Sequence, residues 1–116
     1  MRGLVIKQPW IDLIFDGKKT WEIRGSNTKI RGTIALIQSR SGKVIGTAEL
    51  VDSIPLDLPS YQTNQMRHQI PLDRFEGLPY PKTHAWVLEN AVRFDEPIPY
   101  THPQGAVIWV DLKEVI

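Results

Sequence analysis

The sequence predicts a mostly β, α+β fold, namely a small barrel of about six strands with two or three short helices. Three observations lead to this prediction. Short apolar runs recur along the chain and are separated by residues that favour turns, such as Arg40-Ser41-Gly42. Eight of the nine prolines follow residue 50, so no long helix is expected there. Gly46 interrupts one apolar run, where a strand can bulge and bend to close a small barrel.

At the N-terminus the sequence predicts a strand and a short helix. Gly3–Ile6 is apolar and predicts the strand. Residues 11–16 are long enough for about two helical turns, and Pro9 suits the first helical position because its missing N–H would be unpaired there. Gly17 suits the helix exit, where the chain adopts a positive φ. We therefore predict a helix that ends at Gly17.

The next residues alternate in character, as a strand does. Trp21 and Ile23 can enter a core, while Thr20, Glu22 and Arg24 face a surface or cleft. Lys19 has the wrong parity for the polar face, but its four-carbon side chain can reach round from the turn. A Lys, a Glu and an Arg within six residues form a candidate polar site.

The remaining strands follow from apolar runs. Residues 33–38 are apolar on both faces and predict a buried central strand, with residues 43–51 as its hairpin partner. Residues 84–89 and 106–112 predict two further strands, the last of them internal.

Residues 53–83 differ from the rest because five prolines break any long element. This segment predicts an insertion over the barrel, in which only residues 60–69 could form a short polar helix, with Ser60 as its N-cap. Long loops in compact domains are often functional, so we expect some insertion residues to cover a cleft; the alternative is a solvated loop. The candidates for covering the cleft are Tyr61, Asn64, Gln65, Arg67 and His68.

Length and composition are those of an ordinary globular protein. The 116 residues, 41% hydrophobic and 23% charged, predict one domain over residues 1–116. No apolar run approaches the ~20 residues of a membrane span, and the early charges of the N-terminus do not fit a signal peptide, so we expect a cytoplasmic protein without a membrane partner. The absence of cysteine excludes disulfides and thiolate chemistry. His68, His84 and His102 lack metal-ligand spacing, so neither a metal nor a cofactor is expected; the sequence does not indicate the oligomeric state.

The charges are distributed unevenly although the net charge is only +1. Residues 1–50 carry nine Lys or Arg against four acidic residues, whereas residues 51–116 carry five against nine. Such an asymmetry can create a positive face for a phosphate-bearing partner; the alternative is that the charges only solubilise exposed strands and loops.

Gly17, Lys19, Glu22 and Arg24 match the spacing G-x-K-x-x-E-x-R, and Gln8-Pro9-Trp10 precedes them. This pattern resembles the signature of the ASCH domain (activating-signal cointegrator homology), and the resemblance extends over essentially the whole chain. It implies a PUA-like β-barrel, named for pseudouridine synthases and archaeosine transglycosylases. It also implies that the signature residues line a cleft beside the first helix.

The expected ligand-binding residues lie in and around this signature. Lys19 and Arg24 are suited to hold an anion or a polar base edge, and Glu22 to orient them or to accept from a base amino group. The alternative from the residues alone is an exposed Glu22–Arg24 ion pair worth ~0–1 kcal/mol. Among the tryptophans, Trp21 and Trp109 are expected in the core, and Trp10 and Trp86 are the better candidates for stacking. The predicted ligand contacts are Gln8, Trp10, Lys19, Glu22, Arg24 and Trp86.

The first functional hypothesis is an RNA- or nucleotide-binding domain that uses this cleft. The second is a hydrolase with Lys19 as base and Glu22 as a further catalytic candidate. The resemblance implies two reactions: removal of the acyl group from acetylcytidine nucleosides, or ribonuclease chemistry with a hydroxyl-bearing partner such as Tyr61 or Ser39. In the acetylcytidine amidohydrolases a threonine nucleophile falls where this chain has Glu22, and Thr20 is displaced from that position by two residues. The third hypothesis is a protein-interaction module whose cleft takes a peptide.

Overall fold

The computed structural model describes residues 1–113 and shows one six-stranded sheet, curled into a half-barrel, with three short helices. The predicted mostly β, α+β class with a small barrel-like sheet is therefore confirmed. The elements in chain order are β1 (Arg2–Ile6), α1 (Trp10–Phe15), β2 (Trp21–Arg24), β3 (Gly32–Gln38), β4 (Lys43–Pro55), α2 (Leu58–Thr63), α3 (Gln65–His68), β5 (His84–Pro99) and β6 (Trp109–Asp111). Across residues 1–113, no helix is long and apolar enough to cross a membrane.

The strands lie in the order β2-β5-β4-β3-β1-β6. β3 and β4 form the predicted antiparallel hairpin, whereas β1 pairs with β3 in parallel and with β6 antiparallel. The parallel pair places the end of β1 beside the turn that follows β3, since Ile6 lies opposite Gln38. This arrangement brings β1, the start of α1 and the β3–β4 turn to one end of the sheet.

The predicted helix and the predicted core positions of β2 are confirmed. α1 ends as expected, with Asp16 as its C-cap and Gly17 following at φ +78°. Pro9 is the N-cap and so lies one residue before its predicted position. Trp21 and Ile23 are buried in a cluster with Tyr61 and Ile70, so the insertion packs directly on β2.

Several strand boundaries differ from the sequence prediction, and β4 runs beyond residue 51 to Pro55. β5 does not stop at residue 89 but runs for 16 residues to Pro99. The later half of β5 pairs only with β4, because the pairing with β2 ends at Val87. On its other side this half has no neighbouring strand that needs a backbone N–H, so prolines are tolerated there. The last strand contains only Trp109–Asp111 instead of residues 106–112.

The predicted helix over residues 60–69 is two helices, α2 and α3, and Ser60 is not an N-cap. Asp57 caps α2, since its carboxylate accepts a hydrogen bond from the Ser60 N–H at 2.9 Å. The earlier start follows from Pro59, which occupies one of the first helical positions, where a missing N–H costs nothing.

Gly46 lies at a bulge in β4, as predicted, because the pairing of β4 with β5 shifts register between Val44 and Gly46. A Cβ at this position would lie 2.1 Å from the Val92 carbonyl oxygen and 2.6 Å from the Phe15 ring. The strand therefore approaches both β5 and α1 more closely than any side chain permits.

Gly46→Ala is expected to destabilise the protein by about 2–3 kcal/mol, because backbone as well as a side chain must shift to admit the methyl group. Urea unfolding measures the change. Val51→Ala, at an exposed position of the same strand, is the control and should change stability by less than about 1 kcal/mol. Equal stability of Gly46→Ala and wild type would show that this close approach does not constrain the strand.

Candidate functional site

A cleft of about 280 Å³ opens at the end of the sheet where β1, α1 and β2 meet the insertion. We call it the Lys19 cleft. Its walls combine charged, aromatic and aliphatic side chains. They are Val5, Lys7, Trp10, Lys19, Glu22, Ile23, Arg24, Ser39, Ile70, Tyr80 and Val107.

Lys19 is almost completely buried, with 2% of its surface exposed. The turn after α1 directs its side chain inward, where Nζ donates a hydrogen bond to the His68 carbonyl oxygen at 2.6 Å. The Glu22 Oε1 atom lies 3.6 Å from the same nitrogen. The long side chain thus crosses to the polar face of β2, as the sequence predicts.

Glu22 and Arg24 form a close ion pair on β2. Arg24 donates to Glu22 Oε2 from Nε at 3.0 Å and from Nη2 at 2.8 Å, and Nη2 also donates to the Val5 carbonyl oxygen at 2.8 Å. Glu22 is only 6% exposed, so this is not the exposed surface pair of the alternative interpretation. Lys19, Glu22 and Arg24, which we call the charged triad, therefore form one buried network.

Burial lowers the pKa of Lys19 from 10.5 to about 8. Removal from water disfavours the ammonium form and is the largest cause, whereas the nearby Glu22 carboxylate acts in the opposite direction. The Arg24 guanidinium adds a smaller lowering. The lowered pKa brings deprotonation of Lys19 closer to neutral pH than that of an exposed lysine.

A family model for the ASCH domain matches residues 4–98 of the chain. The chain belongs to the ASCH family. A search of curated proteins finds no match. The fold is similar to that of crystal structures of the ASCH protein from Zymomonas mobilis, and it is consistent with the PUA-like barrel that the resemblance implies.

These ASCH counterparts are alike in shape and distant in sequence. The Zymomonas mobilis protein has a TM-score of 0.72 and 21% identity, over 97% of this chain and 87% of that one. A tyrosine-to-phenylalanine mutant of that protein has a TM-score of 0.72 and 21% identity, over 97% of this chain and 90% of the mutant chain. A serine-to-alanine mutant has a TM-score of 0.73 and 20% identity, over 97% of this chain and 88% of the mutant chain.

Trp10 lies in the ASCH cleft, but Trp86 does not. Trp10 is half-buried, with Lys19 Nζ 5.1 Å and Arg74 Cζ 5.5 Å from its ring centroid. Trp86 is 1% exposed and does not line the cleft, so the stacking of a ligand on it stays a prediction. Its ring stacks on Trp109 at 5.6 Å and lies 5.5 Å from Arg24 Cζ, so it supports Arg24 from within the core. Strand parity could not reveal this, because the covering ring of Trp109 comes from β6, which is not paired with β5 in the sheet.

Gln8 is exposed and does not line the Lys19 cleft. Its side-chain amide donates to Gln38 Oε1 at 3.2 Å and also interacts with Asp12, whose carboxyl pKa it lowers. The predicted ligand contact of Gln8 therefore has no support in the arrangement of the cleft.

The insertion contributes to the Lys19 cleft through a backbone carbonyl and the side chains of Ile70 and Tyr80. Of the five insertion residues expected there, His68 is buried and offers its carbonyl to Lys19. Its ring is stacked on Tyr61 at 4.3 Å, with Nε2 2.8 Å from the Tyr61 carbonyl and Nδ1 accepting from the Ile70 N–H at 3.0 Å. Burial lowers the pKa of this imidazole, which keeps it neutral with the proton on Nε2. His68 thus positions the carbonyl acceptor without exposing its ring.

The hydroxyl groups near Lys19 differ in part from those predicted. Tyr61 is 2% exposed and does not line the cleft, so its position does not support its suggested role as a reaction partner. Thr20 also lies outside the cleft, whereas Ser39 lines it as suggested. Tyr80 lines the cleft and was missed, because nothing in the proline-rich segment of the sequence marks which of its residues return to β2.

Across residues 1–113, no group of three or more His, Asp or Glu side chains is placed to hold a metal ion. The side chains that line the Lys19 cleft supply three cations, one carboxylate, two hydroxyls and two aromatic rings.

Proposed function

We propose that this ASCH domain binds a base of RNA, or a nucleotide, in the Lys19 cleft. The charged triad carries the proposal: three ionised groups converge, largely desolvated, beside the half-buried ring of Trp10. Concave sites with a few convergent polar groups among apolar walls are the usual form of a ligand site.

The polar groups suit the edge of a nucleobase. Lys19 has three N–H donors and gives one to the His68 carbonyl, so a donor remains for a base carbonyl oxygen. The Glu22 carboxylate accepts from Arg24 through Oε2, which leaves Oε1 for Lys19 or for a base amino group. Trp10 and Tyr80 offer aromatic surface on which unpaired bases commonly stack.

The test compares wild type with Lys19→Ala, using N-acetylcytidine and a short labelled single-stranded RNA. Lys18→Ala is the matched control, because Lys18 is adjacent in sequence, exposed and outside the cleft. A binding domain is expected to retain the RNA unchanged, and Lys19→Ala to weaken retention by about 10-fold or more. Equal retention by all three proteins, or none by wild type, would overturn the proposal.

A second candidate function is hydrolysis, favoured by the pKa of about 8 for Lys19. A lysine with such a pKa can accept a proton near neutral pH and so act as a general base toward water or a hydroxyl group. The substrates to test are the acyl bond of acetylated cytidine and the RNA phosphodiester. Ser39 and Tyr80 are the hydroxyls in the cleft, but nucleophilic attack by Thr20 has no support from its position.

The dependence on pH separates the two functions within the same experiment. Below pH 8 Lys19 is mostly an ammonium ion, so binding through this charge is expected to weaken as pH rises from 7 to 9. Catalysis by the neutral amine is expected to accelerate over the same interval. Cytidine is the base of choice for the ligands, because it neither gains nor loses a proton between pH 7 and pH 9.

A further inference from the structure

A second cavity of about 570 Å³ adjoins the Lys19 cleft. We call it the Tyr100 cavity, after a residue that lines it and not the cleft. Val5, Lys7, Ser39 and Val107 line both spaces, so the two form one continuous groove. The end of β1, the β3–β4 turn and the segment after β5 build the added part.

The groove concentrates positive charge. Lys7 and Arg40 line the Tyr100 cavity, both are exposed, and none of the described residues that line it is acidic. The whole groove holds four Lys or Arg side chains against one carboxylate, whereas the net charge of the chain is only +1. A groove of this kind attracts a polyanion.

One wall of the Tyr100 cavity is an aromatic pair held in place by hydrogen bonds. The Tyr100 hydroxyl lies 2.7 Å from His102 Nδ1, and His102 Nε2 lies 2.6 Å from the Ala106 carbonyl oxygen. Since a carbonyl only accepts, Nε2 is the donor and the hydroxyl donates to Nδ1 in the neutral imidazole. The segment after β5 is thereby fixed across the cavity and presents aromatic surface beside the two cations.

The sizes of the two spaces set the length of the ligand. At about 280 Å³ the Lys19 cleft is at the small end of ligand sites, which span ~300–1,000 Å³, and suits one base with its sugar. Lys7 and Ser39 lie where the Lys19 cleft joins the Tyr100 cavity. A phosphate that links two nucleotides, one in each space, is expected at this junction. Positive grooves with aromatic rings are the usual form of sites for single strands.

We propose that the Tyr100 cavity binds the neighbouring nucleotide of a single-stranded nucleic acid, with Lys7 and Arg40 contacting its phosphates. This inference rests on the proposed function, because it places one base of the same strand in the Lys19 cleft. The natural ligand is then an oligonucleotide and not a free nucleoside.

The experiment measures affinity by fluorescence anisotropy for a labelled cytidine monophosphate and for RNA and DNA hexamers of one sequence. The variant is Lys7→Gln/Arg40→Gln. Lys18→Gln/Lys29→Gln is the matched control, because it removes the same charge from exposed positions outside the groove. RNA and DNA together show whether the cavity reads phosphates, which both carry, or the RNA sugar.

Wild type is expected to bind at least one hexamer about 10-fold or more tightly than the mononucleotide. The groove variant is expected to lose most of this gain and to lower the slope of log affinity against log salt by about two, whereas the control keeps both. Equal affinity for mononucleotide and hexamers, or equal losses in variant and control, would overturn the inference while leaving the Lys19 cleft as a nucleotide site. Failure of wild type to bind any of the three ligands would overturn the proposed function itself.

Discussion

Glu22→Gln is expected to lower the free energy of unfolding by about 3–5 kcal/mol. Glu22 is the carboxylate of the charged triad, and its replacement leaves a buried ammonium and a largely buried guanidinium facing each other without a counter-charge. Glutamine keeps the shape and an acceptor oxygen, so the loss reports the charge and not a cavity. Urea unfolding measures the change. An unaltered m-value shows that variant and wild type expose the same surface on unfolding, so that their free energies can be compared.

Two further variants identify the origin of this loss. Glu89→Gln removes an exposed carboxylate from β5 and should change stability by less than about 0.5 kcal/mol. In Lys19→Met/Glu22→Gln one buried cation is removed together with the carboxylate, and part of the stability should return. If Glu22→Gln alone is as stable as wild type, the carboxylate does not compensate the two cations in the folded protein.

The stability of wild type is expected to rise by about 2–3 kcal/mol between pH 7 and pH 10, and that of Lys19→Met is not. Burial holds the pKa of Lys19 at about 8 in the folded protein, against 10.5 for an exposed lysine. Between these values the unfolded chain binds a proton that the folded protein does not, so raising the pH favours folding. Below pH 8 both states are protonated and the full cost of the buried charge is present.

The comparison is made by denaturant unfolding at several pH values, and the difference between the two proteins isolates Lys19. The upper limit of pH 10 matters because burial raises the pKa values of Tyr61 and Tyr100. Above pH 10 their phenols ionise more readily in the unfolded chain, which favours unfolding. Identical slopes for wild type and Lys19→Met would show that the folded protein does not lower the pKa of this lysine.

The sequence predicted the parts of the site that depend on local periodicity. Gly17 at the helix exit and the alternation of β2 place Glu22 and Arg24 on one side and Trp21 and Ile23 on the other, as the structure has them. The reach of Lys19 to Glu22 followed from the length of its side chain. The six strands and the bulge at Gly46 were predicted for the same reason, since turn residues and apolar runs are local signals.

What the sequence could not predict depends on contacts between distant segments. The acceptor for Lys19 is the backbone carbonyl of His68. Every residue has such a carbonyl, so the residue type does not indicate which one accepts the hydrogen bond. Trp86 was expected at a ligand because its strand alone does not reveal that Trp109 covers its ring. The extension of β5 to Pro99 likewise depends on having only β4 beside its later half.

The place of β1 in the sheet has a consequence for how the protein folds. β1 supplies the Val5 carbonyl to Arg24, yet its neighbour on one side is β6, with Leu4 opposite Trp109 and the Val5 N–H donating to the Ile108 carbonyl at 2.9 Å. During synthesis, β1 therefore cannot pair with β6 until nearly all of the described chain has been made. Closing so long a loop costs entropy before any contact is gained, and such contacts slow folding. The Lys19 cleft is consequently completed late, and until then the free edge of β1 is open to incorrect pairing with other strands.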